Sequence, residues 1–502
     1  MGPWTGFVGI ALLVGAFYLA SRNKAAINWR LVVRGLALQT LLAVFCLRVP
    51  WGQNLFHTLG QSIEKLLSYS DAGAGFVFGF LVSQPDRLNQ VFGHGSSFIF
   101  AFKLVPTIIF VSTLVSIAYH LGIMQQLIKG LAWLVHKLMR VSGAEALSNA
   151  ASIFVGQIEA QLLIKPYLTS MTRSELLAIM AGSMACISGG VMAVYIQMGI
   201  PANYLLTASI MSVPAALTIS KLLLPETGMP ATEGNVTLEP HQDSVNIIDA
   251  AARGAADGLK IGLSVCAMLI GFIALIRLVD DGVSQLAVQL ARLGVPFAAI
   301  GLDASHLSLS VLLGHGFSLL ALALGVPIQD VDVVGRLMGT KMVLNEFVAY
   351  ASLAPLKSQL QPQSLAIVSV ALCGFANFSS IAMQIGGIGK MAPSRKKDLA
   401  ELGMMALFCG TAASYISAAL AGFLVSVSAI PQGNVMIGAV SVVAALLLIA
   451  AKWLPTGVQH KTATENKASA VTRVDTVSTP AERPAAGYPL KTVSRSSKPD
   501  IY

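Results

Sequence analysis

Charged side chains are scarce in this sequence: Asp, Glu, Lys and Arg make up 11% of its 502 residues, whereas 55% are hydrophobic. Soluble domains carry about a quarter charged residues, so this chain has too little polar surface to remain in water. Its mean hydropathy of +0.71 agrees with that interpretation. The composition excludes a soluble globular domain, a disordered protein and a secreted disulfide scaffold, and it predicts a polytopic membrane protein.

The motifs of common enzymes and metal sites are also missing. The five cysteines lie in apolar runs without a CxxC pair, so we expect them to be packing residues. The eight histidines form no HxxxH pair, the residues around Gly389 and Lys390 do not match a P-loop, and no G-x-S-x-G motif occurs. We therefore expect neither an enzyme nor a cofactor. Residues 3–20 lack the flanks of a cleavable signal peptide.

Long apolar runs mark the predicted membrane spans. A helix needs about 20 mostly apolar residues to cross a bilayer, and such runs occur at 3–20, 31–49, 98–121, 174–198, 203–223, 259–279, 363–389, 399–427 and 434–452. The net charge of +9 fits basic loops on the cytoplasmic side better than a nucleic-acid partner. Because Arg22, Lys24 and Arg30 follow the first span, we predict the N-terminus outside and the C-terminal tail inside.

Two further apolar stretches are too short to cross the bilayer twice. The basic residues beside 143–172 stay cytoplasmic only if this stretch enters and leaves the membrane from the cytoplasmic face. If the spans continue to alternate in direction, 333–358 must enter and leave from the outer face. An amphipathic segment, a hairpin, a broken span and a full span then follow one another twice, at 122–223 and 303–427. Inverted repeats with broken helices are typical of secondary transporters, whose site lies near the midplane.

The predicted fold is an all-α polytopic membrane protein with an inverted repeat, two re-entrant helical hairpins and two broken transmembrane helices. We divide the chain into six parts. They are N-terminal transmembrane helices with an interfacial segment (1–97), a scaffold helix with the first repeat (98–223), a cytoplasmic loop with a connecting helix (224–302), the second repeat (303–427), an extra C-terminal helix (428–452) and a disordered basic cytoplasmic tail (453–502).

Each predicted hairpin carries one carboxylate in apolar surroundings, Glu159 in the first and Glu346 in the second. An ionisable residue at membrane depth indicates a functional site by default, and irregular backbone is tolerated there only where it packs in protein or lines a cavity. Two alternatives remain open. Glu159 could be solvated in a cytoplasmic loop, and Glu346 could form a structural ion pair with Arg336 or Lys341.

Two of the predicted spans are interrupted in the middle. Residues 186–191 (CISGGV) place a Gly-Gly step in one, and residues 374–380 (GFANFSS) place three polar side chains in the other. Unwound backbone frees carbonyl groups for a cation and N–H groups for a polar ligand. Alternatively, such polar residues only hold neighbouring helices together. The occurrence of two hairpins and two breaks in inverted pairs favours a binding site.

Three runs of residues resemble the signatures of the concentrative nucleoside transporter family. Residues 156–160 (GQIEA) are similar to its G-Q-T-E-A motif, 345–350 (NEFVAY) match its N-E-F-V-A-Y motif without change, and 372–381 (LCGFANFSSI) closely resemble its third signature. The similarity covers most of 98–427. It implies a homotrimer in the bilayer, with a central scaffold and a moving transport domain, that couples nucleoside uptake to sodium or protons.

The resemblance also implies roles for individual residues. In the family's pattern, Gln157 and Ile158 face the nucleobase, which Glu159 reaches through water. Eight residues would bind substrate in all: Gln157, Ile158, Glu159, Val191, Glu346, Phe375, Asn377 and Ser380. Val191 and Phe375 would pack around the base and sugar. Glu346, Asn377 and Ser380 would form hydrogen bonds with the ribose hydroxyls. A carboxylate accepts strongly from a sugar diol, because charge-assisted hydrogen bonds are the strong ones.

The predicted cation site departs from the family's usual pattern. Its side chains, usually Asn and Ser, align with Ser152 and Cys186, and its carbonyl groups belong to Val155 and Ile187. Sodium prefers hard oxygen ligands, and a thiol is soft, so the sequence favours protons over sodium as the coupling ion. An alternative is that Lys103, where the family commonly has a neutral amide, reaches this site.

Two positions near the predicted base pocket also depart from the family. Ile158 replaces a usual Thr, and Gln161 replaces a usual Pro. The leading hypothesis remains a cation-coupled symporter that imports nucleosides across the bacterial cytoplasmic (inner) membrane. A second hypothesis is a proton-coupled carrier of modified nucleosides or nucleobases. A third is an uncoupled channel or a membrane sensor on the same fold.

Overall fold

The computed structural model describes residues 4–83, 100–232, 244–297, 303, 307–427, 433–451 and 454. Within these ranges the chain is helical and contains no β-strand, which confirms the predicted all-α class. The predicted C-terminal tail lies outside the described residues except for Leu454.

The structure describes five α-helices within residues 4–83. They are α1 (Thr5–Leu19), α2 (Trp29–Leu47), α3 (Pro50–Ser68), α4 (Ser70–Phe78) and α5 (Phe80–Ser83). The side chain of Asn28 caps α2 by accepting a hydrogen bond from the Leu31 N–H at 3.2 Å, and a proline begins α3, where its missing N–H costs no helical bond. We predict interfacial helix and loop for residues 50–96; residues 50–83 are mostly helical, and the rest of this stretch lies outside the described residues.

The part of the chain predicted to hold the scaffold helix and the first repeat contains seven α-helices among its described residues. Its helices are α6 (Phe100–His120), α7 (Ile123–Met139), α8 (Gly143–Ala151), α9 (Glu159–Leu162), α10 (Arg173–Ala185), α11 (Gly189–Gln197) and α12 (Ala202–Leu223). We call residues 143–168, which contain α8 and α9, hairpin 1. The predicted break separates α10 from α11, and the side chain of Ser188 caps α11.

The connecting helix is much longer than the predicted span 259–279. Helix α13 (Ile247–Arg292) has 46 residues, or about 70 Å at the usual rise per residue, and it includes part of the predicted loop 224–258. No proline interrupts the chain between Ile247 and Pro296. Gly254 and Gly258 face α6, where a Cβ on Gly258 would lie 2.6 Å from Ile109 Cα. These small residues let α6 and α13 pack closely over several turns.

The second repeat has the same order of elements. Its helices are α14 (Leu309–Ala323), α15 (Val331–Val343), α16 (Glu346–Leu353), α17 (Pro362–Leu372), α18 (Phe378–Met391) and α19 (Lys396–Val427), and α20 (Gly433–Ala450) follows. We call residues 331–354, which contain α15 and α16, hairpin 2. The order of elements is thus as predicted, whereas the domain boundaries, the re-entrance of the hairpins and the orientation in the membrane stay predictions.

Polar residues at the start of each hairpin attach it to its broken helix. In hairpin 1, Glu145 forms a capping box with Ser142 and pairs with Lys221 of α12, whose ammonium also donates to Ser174 at the start of α10 at 3.0 Å. In the second repeat, Asp330 accepts a hydrogen bond from Ser364 at the start of α17 at 2.5 Å. Each hairpin is therefore attached where its first helix begins. The turn between its two helices, the hairpin tip, lies beside the break in a broken helix.

Six helical stretches within the described ranges are long and apolar enough to cross a membrane. They are Trp29–Leu47, Ala101–His120, Arg173–Gln197, Ala202–Leu223, Ile247–Arg292 and Pro393–Val427. Three other predicted spans coincide with shorter apolar helices, which belong to α1, α17 and α20. The interior of the molecule is built mainly from the broken helices with α12 and α19, where Ile179, Leu217 and Ile416 are fully buried.

Candidate functional site

A cavity of about 650 Å³ lies where the hairpin tips meet the two broken helices. All eight predicted substrate residues line it: Gln157, Ile158, Glu159, Val191, Glu346, Phe375, Asn377 and Ser380. The N-terminal ends of α11, α16 and α18 border the cavity, each capped by a side chain of Ser or Asn. The positive ends of three helix dipoles therefore face a polar ligand here.

Glu346 is held in the cavity by two side-chain hydrogen bonds. Its side chain is buried, Tyr195 of α11 donates to Oε1 at 3.1 Å, and Asn377 donates to Oε2 at 3.2 Å. No described residue forms an ion pair with it at salt-bridge distance, and the ammonium of Lys341 is bonded to the carbonyl of Ala371. Among the described residues Glu346 therefore has no direct salt bridge with Arg336 or Lys341, which leaves open a longer-range pairing with the Lys341 charge.

Asn377 has two tasks at the start of α18. Its Oδ1 accepts hydrogen bonds from the Ser380 N–H at 3.0 Å and from the Ser379 hydroxyl at 2.7 Å. The cap fixes the amide so that Nδ2 points to Glu346. Asn345 caps α16 in the same way through the N–H of Val348, at 2.9 Å. The two ends that carry the predicted ribose contacts are therefore rigidly oriented.

Gln157 belongs to a buried network that sequence reasoning missed. Its Nε2 donates to Ser380 Oγ at 3.3 Å, and its Oε1 accepts from Gln384 Nε2 at 3.3 Å. Gln384 also donates to Ser183 Oγ at 3.0 Å and is fully buried. Gln384 follows Ser380 by one helical turn on an otherwise apolar helix, so both side chains lie on the same helix face. This polar residue in an apolar helix could have indicated a contact with the site.

Apolar side chains form one wall of the cavity. The carboxylate of Glu159 is open to it. Ile158 lies against Gly387, where a Cβ would meet its Cδ1 at 2.5 Å. Val191 and Phe375 are partly exposed, as residues that face a ligand would be. Glu159 is exposed and lines the cavity, so its solvation and a functional role are compatible.

The opposite wall belongs to α6 and α13, which the sequence did not assign to a site. Ser112 and Val111 of α6 line it, and so do Asp257 and Lys260 of α13. The last two form an ion pair of 3.1 Å. These side chains lie near the cavity only because α13 runs alongside α6, which the short span predicted for α13 did not reveal.

The four predicted cation-site residues lie within four residues of the C-terminal ends of α8 and α10. Ser152 is the C-terminal cap of α8, and Cys186 is the C-terminal cap of α10. Both side chains form hydrogen bonds within the protein. The Ser152 hydroxyl donates to Ser148 O at 2.9 Å, and the Cys186 thiol is hydrogen-bonded to Ser212 Oγ. Of the four, only Val155 lines the cavity, while Ile187 is fully buried.

Lys103 does not reach this cation site. Its ammonium forms a salt bridge of 2.7 Å with Asp71 of α4, and it does not line the cavity. The next turn of α6 continues this polar contact, since Thr107 donates to Gln197 of α11 at 2.8 Å. The structure therefore gives no support to the hypothesis that Lys103 replaces a bound cation, because Asp71 neutralises its charge.

Comparison with known proteins identifies the family. Three family models match: "Na+ dependent nucleoside transporter N-terminus" over residues 8–81, "Nucleoside recognition" over 101–202 and "Na+ dependent nucleoside transporter C-terminus" over 204–422. The nucleoside permease NupC of Helicobacter pylori is 38% identical over 427 residues, which are 84% of this chain and 98% of that protein. The chain belongs to the concentrative nucleoside transporter family.

Other members agree in sequence and in structure. Human sodium/nucleoside cotransporter 1 is 36% identical over 435 residues, which cover 83% of this chain and 63% of the human protein. The structure of CNTnw in an inward-facing substrate-bound state matches with a TM-score of 0.78 and 38% identity, over 86% of this chain and 99% of CNTnw. The chain is thus an integral membrane transporter of the nucleoside family and not an enzyme.

Proposed function

We propose that this protein imports nucleosides and that the eight cavity residues bind them. The observation that carries the proposal is Glu346, held between Tyr195 and Asn377 beside a cavity of about 650 Å³. A ribose diol would donate to this carboxylate, and an analogue without a hydroxyl would leave the buried group unpaired. Free nucleobases should therefore be poor substrates.

The proposed coupling ion is the proton. Support comes from Ser152 and Cys186, whose side chains are bonded to Ser148 and Ser212, and from the poor affinity of thiols for sodium. Glu159 is the proposed proton carrier because it lines the cavity and receives no hydrogen bond from a described residue. The family models are described as Na+ dependent, so this chain would be a variant within its family.

We further propose a homotrimer in the bacterial cytoplasmic membrane, with the N-terminus outside. This rests on the family resemblance and on the basic residues beside the first span. A carrier of modified nucleosides is the second candidate. It is favoured by Ile158, which offers the base an apolar contact where the family usually has a hydroxyl.

The test is uptake into proteoliposomes with a panel of ribonucleosides, deoxynucleosides and free bases. Sodium and pH gradients are imposed separately, with choline in place of sodium. We expect saturable ribonucleoside uptake that follows the inward proton gradient and loses this dependence in Glu159→Gln. Uptake that requires sodium at constant pH would contradict proton coupling. Linear flux would indicate a channel, and binding without uptake a sensor.

A further inference from the structure

Lys341 is a buried cation to which nothing so far assigns a role. It belongs to the last turn of α15 in hairpin 2, and its side chain has 0% relative exposure. A lysine ammonium has three N–H donors. Among the described residues it makes one hydrogen bond, to Ala371 O at 3.3 Å. Burying a charge this poorly hydrogen-bonded is costly unless other charges compensate for it.

The compensation comes from helix ends and from one carboxylate. Lys341 lies two residues before the end of α15, and Ala371 lies one residue before the end of α17. The negative ends of two helix dipoles therefore point to the ammonium. The aromatic face of Tyr415 lies 5.7 Å away, within the range of a cation–π contact. Glu346 follows Lys341 by five residues and begins α16, so its carboxylate belongs to the same hairpin as the ammonium.

Hairpin 1 has the same arrangement of helix ends without a lysine. There α8 ends at the cap Ser152, and α10 ends at the cap Cys186. In hairpin 2, Lys341 lies three residues before the cap Leu344. The equivalent position in hairpin 1, three residues before the cap Ser152, is Asn149. Asn149 is neutral, and its Oδ1 is buried without a hydrogen-bond partner. The two repeats thus differ in charge at equivalent positions.

We propose that Lys341 is a built-in cation of hairpin 2. Its ammonium neutralises Glu346 and the carbonyl ends of α15 and α17, so this half of the site holds an ionised carboxylate for a neutral sugar without taking up a free ion. Lys341 is a positioning residue, since it acts through Glu346 and does not line the cavity. The inference rests on the proposed nucleoside function.

The experiment measures nucleoside binding to the purified full-length protein in detergent, where no ion gradient exists. Lys341→Ala should weaken binding on the order of tenfold or more, because it leaves a buried carboxylate without a counter-charge. Ethylammonium or propylammonium should fill the space and restore affinity several-fold. Tetramethylammonium, which has no N–H group, should not. Rescue by a small ammonium ion is a response that a purely structural lysine would not give.

A matched control is Lys357→Ala. Lys357 also donates to a backbone carbonyl, that of Gly199, at 2.9 Å, but it lies outside the cavity. We expect no change in nucleoside affinity and no response to alkylammonium. Thermal unfolding of every variant shows whether the fold is retained.

If Lys341→Ala does not fold, Lys341→Arg and Lys341→Met separate charge from packing. We expect the arginine variant to bind nucleoside better than the methionine variant, although methionine fits the lysine stem better. Equal affinities of Lys341→Met and the wild type would overturn the inference, and so would a folded Lys341→Ala that no ammonium ion rescues. Absence of nucleoside binding by the wild type would instead refute the proposed function.

Discussion

At the scale of single residues, proton positions follow from the acceptors around the site. The hydroxyl of Ser380 donates to Phe375 O at 2.5 Å, so its oxygen is left to accept from Gln157. Gln157 must then present its NH₂ group to Ser380 and its oxygen to Gln384. Gln384 is itself oriented by the carbonyl of Met180, to which it donates at 3.2 Å. The chain of bonds therefore fixes the orientation of the Gln157 amide beside the cavity.

Gln384→Met should therefore change base selectivity. The substitution removes the donor that holds Gln157 Oε1, so the Gln157 amide can rotate. The net contribution of one such hydrogen bond is about 0.5–1.5 kcal/mol. We expect a several-fold change in the ranking of nucleosides, measured as KM for each. Gln363→Met is the control, since Gln363 donates only to Gly325 O away from the cavity. An unchanged ranking in Gln384→Met would show that Gln157 is oriented by other contacts.

Ile158→Thr should shift preference toward uridine or cytidine by several-fold. The hydroxyl adds a hydrogen-bonding group to a wall that is apolar in this chain, at a net gain of about 1 kcal/mol. Ile158→Val is the matched control, because it has the shape of threonine without the hydroxyl. Competition between labelled nucleosides measures the ranking. If threonine and valine give the same ranking, Ile158 does not contact the base.

At the scale of elements, the two broken helices touch at their breaks. The N–H of Phe375 donates to Cys186 O at 3.2 Å, and Gly374 lies so close to α10 that a Cβ would meet Ala185 O at 2.9 Å. Within the first repeat, hairpin 1 contacts the same break, since the N–H of Gly189 donates to Phe154 O at 3.1 Å. The two repeats thus position each other's cavity-lining ends.

Gly374→Ala should separate the breaks and damage the site. The added methyl group collides with backbone that has little freedom to move, and such overpacking costs about 1–3 kcal/mol. We expect a lower Tm in detergent and weaker nucleoside binding. Gly386→Ala on α18 is the control, because its Cβ would face open space. Normal binding by Gly374→Ala would mean that the crossing tolerates a wider separation.

At the scale of the whole molecule, the proposed proton coupling would distinguish this chain from relatives that are described as sodium cotransporters. The double change Ser152→Asn with Cys186→Ser restores the oxygen-bearing side chains usual in the family. We expect uptake that is nearly independent of sodium in the wild type to become stimulated by millimolar sodium, because oxygen ligands suit this ion. The measurement is initial uptake rate against sodium at constant pH.

Cys409→Ser serves as the control for that experiment. Cys409 is also fully buried, but it lies in α19 and outside the cavity. Its replacement should leave the sodium response of the wild type unchanged. A wild type that is already activated by sodium would contradict the interpretation of Ser152 and Cys186.

The sequence by itself determined the features that have local causes. Apolar runs, a Gly-Gly step and capping residues such as Asn345 and Asn377 depend only on near neighbours in the chain, so the broken helices and the order of elements were predictable. A carboxylate in an apolar setting indicated Glu346 as functional, because an isolated charge is costly there. All eight predicted site residues then line one cavity, whereas their contact with substrate stays a prediction.

Only the tertiary structure decided the features that depend on distant partners. Gln384 bonds to Gln157, 227 residues away, and Asp71 neutralises Lys103 from another helix. The length of α13 and its place beside the cavity result from packing against α6. The burial of Lys341 at two helix ends likewise requires α17 and α19 to pack against hairpin 2. A hydrogen bond or a buried charge is defined by the group that folding places opposite it, and no local pattern records that group.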